Sequence, residues 1–219
     1  MIYVNGVNLY YQKTGHGEAL ILLHGNGEDH QIFSPLITKL KSNFTVYAVD
    51  SRNHGQSEKT AVYDYNVMAD DIEALIKGLQ LKSVNLIGFS DGAIIALLLA
   101  LRCQAMIKKM ALLGVNLKPS DFTQESYQYL QQHYAQTGDP LFKMMLEQPN
   151  IELNWLTKIT VPTLIVAAEN DIYHPELFTQ IADTLPDSQL KIIPNHDHGS
   201  YIINNDMLYP DLMRFLQKN

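Results

Sequence analysis

The chain contains a single cysteine, Cys103. One thiol cannot form an internal disulfide or a thiolate-rich metal site, and this usage fits a reducing compartment. Basic runs are equally scarce, none being longer than Lys108-Lys109. With a net charge of −7, the chain has no electrostatic footprint for nucleic acid, and an anionic membrane surface would repel it. Long apolar runs are missing too: residues 93–101 are too few to span a bilayer. The segment Met1-Ile2-Tyr3-Val4-Asn5-Gly6 has neither the basic start nor the apolar stretch of a signal peptide. Nucleic-acid and membrane partners are therefore not expected, and a cytoplasmic location is. There is no repeat, low-complexity tract or Gly/Ser linker.

What remains has the composition of an ordinary globular protein, 219 residues with 46% apolar and 18% charged, enough for one domain with a continuous core. Short β-like runs alternate with helical spacing, a pattern that predicts a parallel α/β sheet. Residues 2–4 and 7–12 flank Asn5-Gly6, a strong two-residue hairpin signal. Six further runs, 19–23, 44–49, 84–87, 110–115, 163–168 and 190–193, read as strands buried on both faces. Eight strands are expected in all. Helical spacing occurs in Ile32, Phe33, Leu36, Ile37 and Leu40, and again in Ile72, Leu75, Ile76 and Leu79. Residues 93–101 are apolar on nearly every side, so that helix belongs in the middle of the molecule. Two more helices are predicted near 175–185 and 201–216.

Residues 118–155 break this rhythm. They contain no strand-like run, are rich in Gln, Tyr and Met, and are too many for an ordinary connection. They read as a small helical cap inserted between core segments 1–117 and 156–219. Tyr127, Leu130 and Tyr134 form one stripe at helical spacing and Leu141, Met144 and Met145 another, separated by Gly138-Asp139-Pro140. Each of these side chains alone is expected in the core, whereas as a group they have the composition to roof a pocket.

The chemistry is carried first by Gly88-Phe89-Ser90-Asp91-Gly92, directly after one β-run and directly before a helix. In that context G-x-S-x-G predicts a sharp, strained turn that thrusts the serine out at the end of its strand. A Cβ at Gly88 or Gly92 would clash where strand and helix converge. The Ser90 oxygen also stands at a helix N-terminus, where unpaired N–H groups favour developing negative charge. The plainer alternative is a glycine-rich turn with a capping serine.

Two further motifs accompany the turn: His24-Gly25-Asn26-Gly27 after an early strand, and Asp50-Ser51-Arg52-Asn53-His54-Gly55-Gln56-Ser57 after the next. Together the three resemble the α/β-hydrolase superfamily over nearly the whole chain. The resemblance implies that fold, a mostly parallel sheet, here of eight strands, flanked by helices with a small cap. It also implies an acid after the strand that follows the cap, matching Asp171 in Ala168-Glu169-Asn170-Asp171. Its histidine follows the last strand, matching His198 in Pro194-Asn195-His196-Asp197-His198-Gly199. His196 is a rival, and only the family's spacing favours His198. The chain order Ser, Asp, His agrees with the fold.

The implied mechanism is acyl transfer. A serine hydroxyl is a poor nucleophile at neutral pH, so His198 would take its proton while Asp171 orients the ring. The oxyanion would be held by the backbone N–H groups of Asp91 and Asn26, with Gly27 the alternative if the loop shifts by one residue. His24 is expected to brace that loop, and Asp50 and Arg52 to brace theirs. The Asp91 carboxylate either attracts amine-bearing substrates or simply offsets the helix dipole, and the second is preferred. A zinc set of His24, His30, His196 and His198 with Asp29 and Asp197 is conceivable, but no helical His-Glu pair supports it. No metal and no cofactor are expected. The serine excludes the superfamily members that use an aspartate nucleophile, the haloalkane dehalogenases and epoxide hydrolases. Hydrolysis of a small to medium acyl ester is the expected activity. Cleavage of an amide or carbon–carbon bond, cofactor-free lyase or peroxidase chemistry, and a non-catalytic binding role are the alternatives.

Overall fold

Asn5 and Gly6 both take positive φ, 48° and 77°, as a tight hairpin turn requires. They join β1 (Ile2–Val4) to β2 (Val7–Leu9) in antiparallel register. The computed structural model describes residues 1–217; Lys218 and Asn219, the end of the expected core segment, lie outside the described residues. The second strand does not continue to Gln12 as expected. Its ladder stops at Tyr10, whose N–H donates to Ser57 Oγ at 2.8 Å and whose carbonyl accepts from Asp50 N–H at 3.0 Å. The chain resumes as β3 (Tyr11–Gly15) in a different sheet. The described residues thus hold nine strands, not eight, and the main sheet has seven.

That sheet comprises β3, β4 (Glu18–Leu23), β5 (Phe44–Val49), β6 (Val84–Phe89), β7 (Ile107–Leu113), β8 (Thr163–Asn170) and β9 (Ser188–Asp197). Their order is β3-β5-β4-β6-β7-β8-β9, with β3 antiparallel and the rest parallel. Strand alternation divides the apolar side chains between two cores. Leu20, Leu22, Val46, Ala48 and Ile87 face one side, where α1 (Ser34–Leu40) and α7 (Tyr209–Gln217) cover them. Ile21, Leu23, Val49 and Leu86 face the other, under α2 (Tyr65–Gly78), α3 (Asp91–Cys103) and α6 (Glu176–Thr184). Helix α3 is buried from Asp91 to Ala100, in the middle of the molecule as its composition predicts.

Two expectations need correction. Strand β9 is not buried on both faces: it is an edge strand, and Leu190 and Ile192 are 36% and 45% exposed. The last helix begins at Tyr209, not near 201, because Asn204 turns to φ 51° and donates its N–H to Ile32 O at 2.8 Å. Residues 118–155 contain no strand. They hold a 3₁₀ turn (Pro119–Asp121), α4 (Gln124–Thr137) and α5 (Pro140–Glu147), and a further 3₁₀ turn, Leu153–Lys158, runs past their end. Phe122 forms an isolated antiparallel bridge with Tyr173, tying this segment to the loop after β8. Among the described residues no helix is long and apolar enough to cross a membrane.

The approach of β6 and α3 depends on two glycines. A Cβ on Gly88 would lie 2.2 Å from the Gly92 carbonyl oxygen, and one on Gly92 would lie 2.1 Å from that of Leu23. These are backbone atoms of a strand and a buried helix, which cannot yield without separating the layers. Gly92→Ala is expected to lower stability by about 3 kcal/mol, read as a fall in the urea midpoint. An unchanged midpoint would contradict this packing.

Candidate active site

The segment after β6 is strained as the motif predicts, for Ser90 sits at φ 52°, ψ −117°, a conformation that costs energy in a residue with a side chain. It is held there by Ser90 N–H donating to Leu113 O at 2.8 Å. The N–H groups of Ala93 and Ile94 bond the Ser90 carbonyl at 2.9 and 3.1 Å. The hydroxyl oxygen lies 3.0 Å from His198 Nε2, and His198 Nδ1 lies 2.7 Å from Asp171 Oδ1. Asp171 Oδ1 also accepts from Ile172 N–H at 2.8 Å, and Oδ2 from Ala168 N–H at 3.2 Å. A carboxylate accepts only, so Nδ1 carries the proton and Nε2 is left to accept from the serine hydroxyl. The imidazole is wedged between Phe89, at a centroid distance of 5.1 Å, and the edge-on ring of Tyr173 at 5.4 Å. His196 is elsewhere, with Nδ1 3.0 Å from Ser200 Oγ.

The loop after β4 curls beside the nucleophile. Asn26 lines the cavity at Ser90 and Gly27 does not. Among the described residues neither the Asn26 nor the Asp91 N–H donates to another protein group; of the two residues, Asn26 borders the cavity. Beneath the loop, His24 donates Nδ1–H to Gly25 O at 2.8 Å and accepts from Ser51 N–H at 3.1 Å. Burial, then the neighbouring His54, lowers its pKa to about 4, so it braces the loop as a neutral ring. Asp50 bonds the backbone N–H groups of His30 and Gln56 and the His30 ring. Arg52 makes two 2.6 Å bonds to the buried Asp71. Both residues are loop braces. Among the described residues, the one group of three potential metal ligands within 4.8 Å is Asp29, His30 and Asp50. The four histidines considered for zinc are not brought together.

The Asp91 carboxylate is buried and engaged by protein donors, Tyr65 O–H at 2.7 Å and Asn26 Nδ2–H at 3.0 Å. Burial raises its pKa and the two hydrogen bonds oppose that rise. It ties α2 to the loop after β4, and it does not line the cavity.

Two residues at the site were not legible in the sequence pattern. Tyr173 is buried against Phe122 and His198. Burial, then Asp91 and Asp171, pushes its pKa well above the usual phenol value, so it stays a donor. Glu28 lines the cavity, and burial pushes its carboxyl up to about 7 despite the Gly25 N–H bond and the nearby His198 that favour ionisation. Neither belongs to a short motif; their roles arise from segments that meet only in the fold.

The cavity over Ser90 and His198 measures about 520 Å³. Helices α4 and α5 contribute Leu130, Tyr129, Phe142 and Met145 to its lining. Leu130 and Met145 come from the two stripes, whereas Tyr127 packs against the core without lining the cavity.

A central parallel strand ending in a strained serine turn under a cavity defines a class of α/β enzymes. Comparison with known proteins agrees. The family model for the alpha/beta hydrolase fold matches residues 18–143. The proteins named serine hydrolase BPHL of mouse and human are each 32% identical, over 91% of this chain and 79% of theirs. A marine microorganism esterase shares the fold with a TM-score of 0.82 at 22% identity, covering 95% of this chain and 99% of that one. The meta-cleavage product hydrolase of Pseudomonas fluorescens IP01 does so at 0.81 and 17%, covering 98% and 96%. The chain belongs to the α/β-hydrolase family, and it is a hydrolase.

Proposed function

We propose that this hydrolase cleaves small to medium acyl esters through an acyl-enzyme, with Ser90 as nucleophile, His198 as general base and Asp171 as the orienting acid. The observation that carries the reading is the unbroken chain from Ser90 Oγ through His198 to Asp171, at 3.0 and 2.7 Å, opening on a cavity of about 520 Å³. His198 removes the serine proton during attack, then returns it to the leaving group; a second round with water frees the acid. The N–H groups of Asn26 and Asp91 hold the oxyanion in each round. Residues 118–155 act as a cap whose helices close the acyl side of the cavity. An ester asks least of such a site, since an amide needs stronger leaving-group protonation and a carbon–carbon bond a keto-enol step. The names of the mouse and human relatives support the serine chemistry. The lone Cys103 accords with work in the reducing cytoplasm.

A fluorophosphonate probe is expected to label the wild-type chain and not Ser90→Ala. An intact Ser90 that never reacts would favour a binding role on the same fold. With p-nitrophenyl esters of increasing acyl length, activity should peak at short to medium chains, the volume being that of a small-ligand site. A peak at long chains would overturn the size assignment.

A further inference from the structure

The cavity is lined by two carboxyl groups, Glu28 and Glu125. Glu28 reaches the floor. Its Oε2 accepts from Gly25 N–H at 3.0 Å. A methyl group built on Gly25 would touch both that oxygen, at 2.9 Å, and Ser90 Cβ, at 3.0 Å. Carboxyl and nucleophile therefore both pack against one residue. Glu125 comes from the first turn of α4, in the segment that closes the cavity. No lysine or arginine lines this space, and among the described residues neither glutamate is paired with one. His198 is engaged by Asp171 and Ser90. The rest of the lining is largely apolar, with Phe89, Phe122, Leu130 and Ile172 among it, so a charge entering here meets two carboxyl groups, the half-buried Glu28 and the exposed Glu125.

We propose that the cavity sorts acyl esters by charge, rejecting anionic acyl chains and favouring cationic ones, with Glu28 as the main determinant and Glu125 as its partner. This rests on the ester-cleaving reading above and adds a substrate class to it. An anionic group in the cavity must approach the half-buried Glu28 carboxylate, where screening by water is reduced, with no lysine or arginine to receive it, whereas a quaternary ammonium gains attraction at the same place. The groups acting on Glu28 are His198, which favours its ionised form, and Asp91 and Asp29, which oppose it. Discrimination is therefore weaker below pH about 7, where Glu28 takes up a proton, and grows above it.

Three esters test this: p-nitrophenyl butyrate and its derivatives carrying a sulfonate or a trimethylammonium group on the terminal acyl carbon. Well above pH 7 and at low ionic strength, kcat/KM for the cationic ester is expected to exceed that for the anionic one by roughly 10-fold or more. In the double variant Glu28→Gln, Glu125→Gln the ratio should fall to within about threefold of unity. Glutamine retains an oxygen that can accept from Gly25 N–H, and a ratio taken within one variant cancels any general loss of activity. A ratio near one in the wild type, or one unchanged in the double variant, overturns the inference. The same esters titrated calorimetrically onto Ser90→Ala report the preference without turnover. Charge-ordered binding without wild-type hydrolysis supports the inference and defeats the esterase reading; hydrolysis at equal rates does the reverse.

Discussion

Ser90→Ala is expected to lower kcat for a short p-nitrophenyl ester by roughly 10⁵- to 10⁶-fold, with KM changed only a few-fold. The hydroxyl is the atom that would form the acyl bond, so its removal abolishes the covalent route and leaves only the oxyanion donors and the cavity to assist water. His198→Ala should cost about as much, because without an acceptor 3.0 Å from Ser90 Oγ the hydroxyl keeps its proton. The double variant should be no worse than either single one, since residues that act as a unit are strongly non-additive. Steady-state kinetics on purified, folded variants decide the matter. A Ser90→Ala enzyme retaining a few per cent of wild-type kcat would show that another group attacks the substrate.

Asp171→Asn should reduce kcat by roughly 10³- to 10⁴-fold, a magnitude drawn from serine proteases. The hydrogen-bond inventory around the carboxylate explains why an isosteric amide cannot replace it. Asp171 accepts three donors, Ile172 N–H and His198 Nδ1–H on one oxygen and Ala168 N–H on the other. An asparagine has one oxygen and one NH₂. In one orientation the NH₂ faces Ala168 N–H. In the other it faces Ile172 and His198, driving the imidazole to the tautomer with its proton on Nε2, which can no longer accept from Ser90. Both arrangements also lose the negative charge that stabilises the imidazolium. Comparing kcat of Asp171→Asn with that of Asp171→Ala tests this, and a loss below tenfold in Asn would refute the orienting role.

The same accounting shows how the backbone of the active-site loops is satisfied by side chains. Glu28 and His24 hold the turn after β4, Asp50 and Arg52 hold the one after β5, and the Tyr65–Asp91–Asn26 network joins α2 to both neighbours of the nucleophile. Polar side chains in these motifs satisfy backbone groups that a loop would otherwise bury without partners. The bracing expected of His24, Asp50 and Arg52 is what their hydrogen bonds perform; Ser90, His198 and Asp171 form one continuous hydrogen-bonded chain, and the Asp91 carboxyl is taken up by Tyr65 and Asn26.

Much of the fold was legible because its signals are local. The Asn5-Gly6 turn, the short apolar runs of β4, β5 and β6, the apolar character of α3 and the glycine spacing around Ser90 each act within a few residues. The split of the second strand at Tyr10, the exposed edge at β9 and the late start of α7 were not legible. Each depends on a partner far along the chain: Ser57 and Asp50 for Tyr10, the end of the sheet for β9, Ile32 for Asn204.

The order of elements and the type of turn at Ser90 are written in the chain because short-range sterics and hydrophobic periodicity dictate them. Which histidine meets Ser90, which loop residue borders the cavity, and the acidic character of its walls follow from packing between segments separated by tens of residues. A one-dimensional pattern carries no distances, so His198 and His196 differ little in sequence. They differ wholly in space, where one ring is wedged between Phe89 and Tyr173 and the other lies by Ser200.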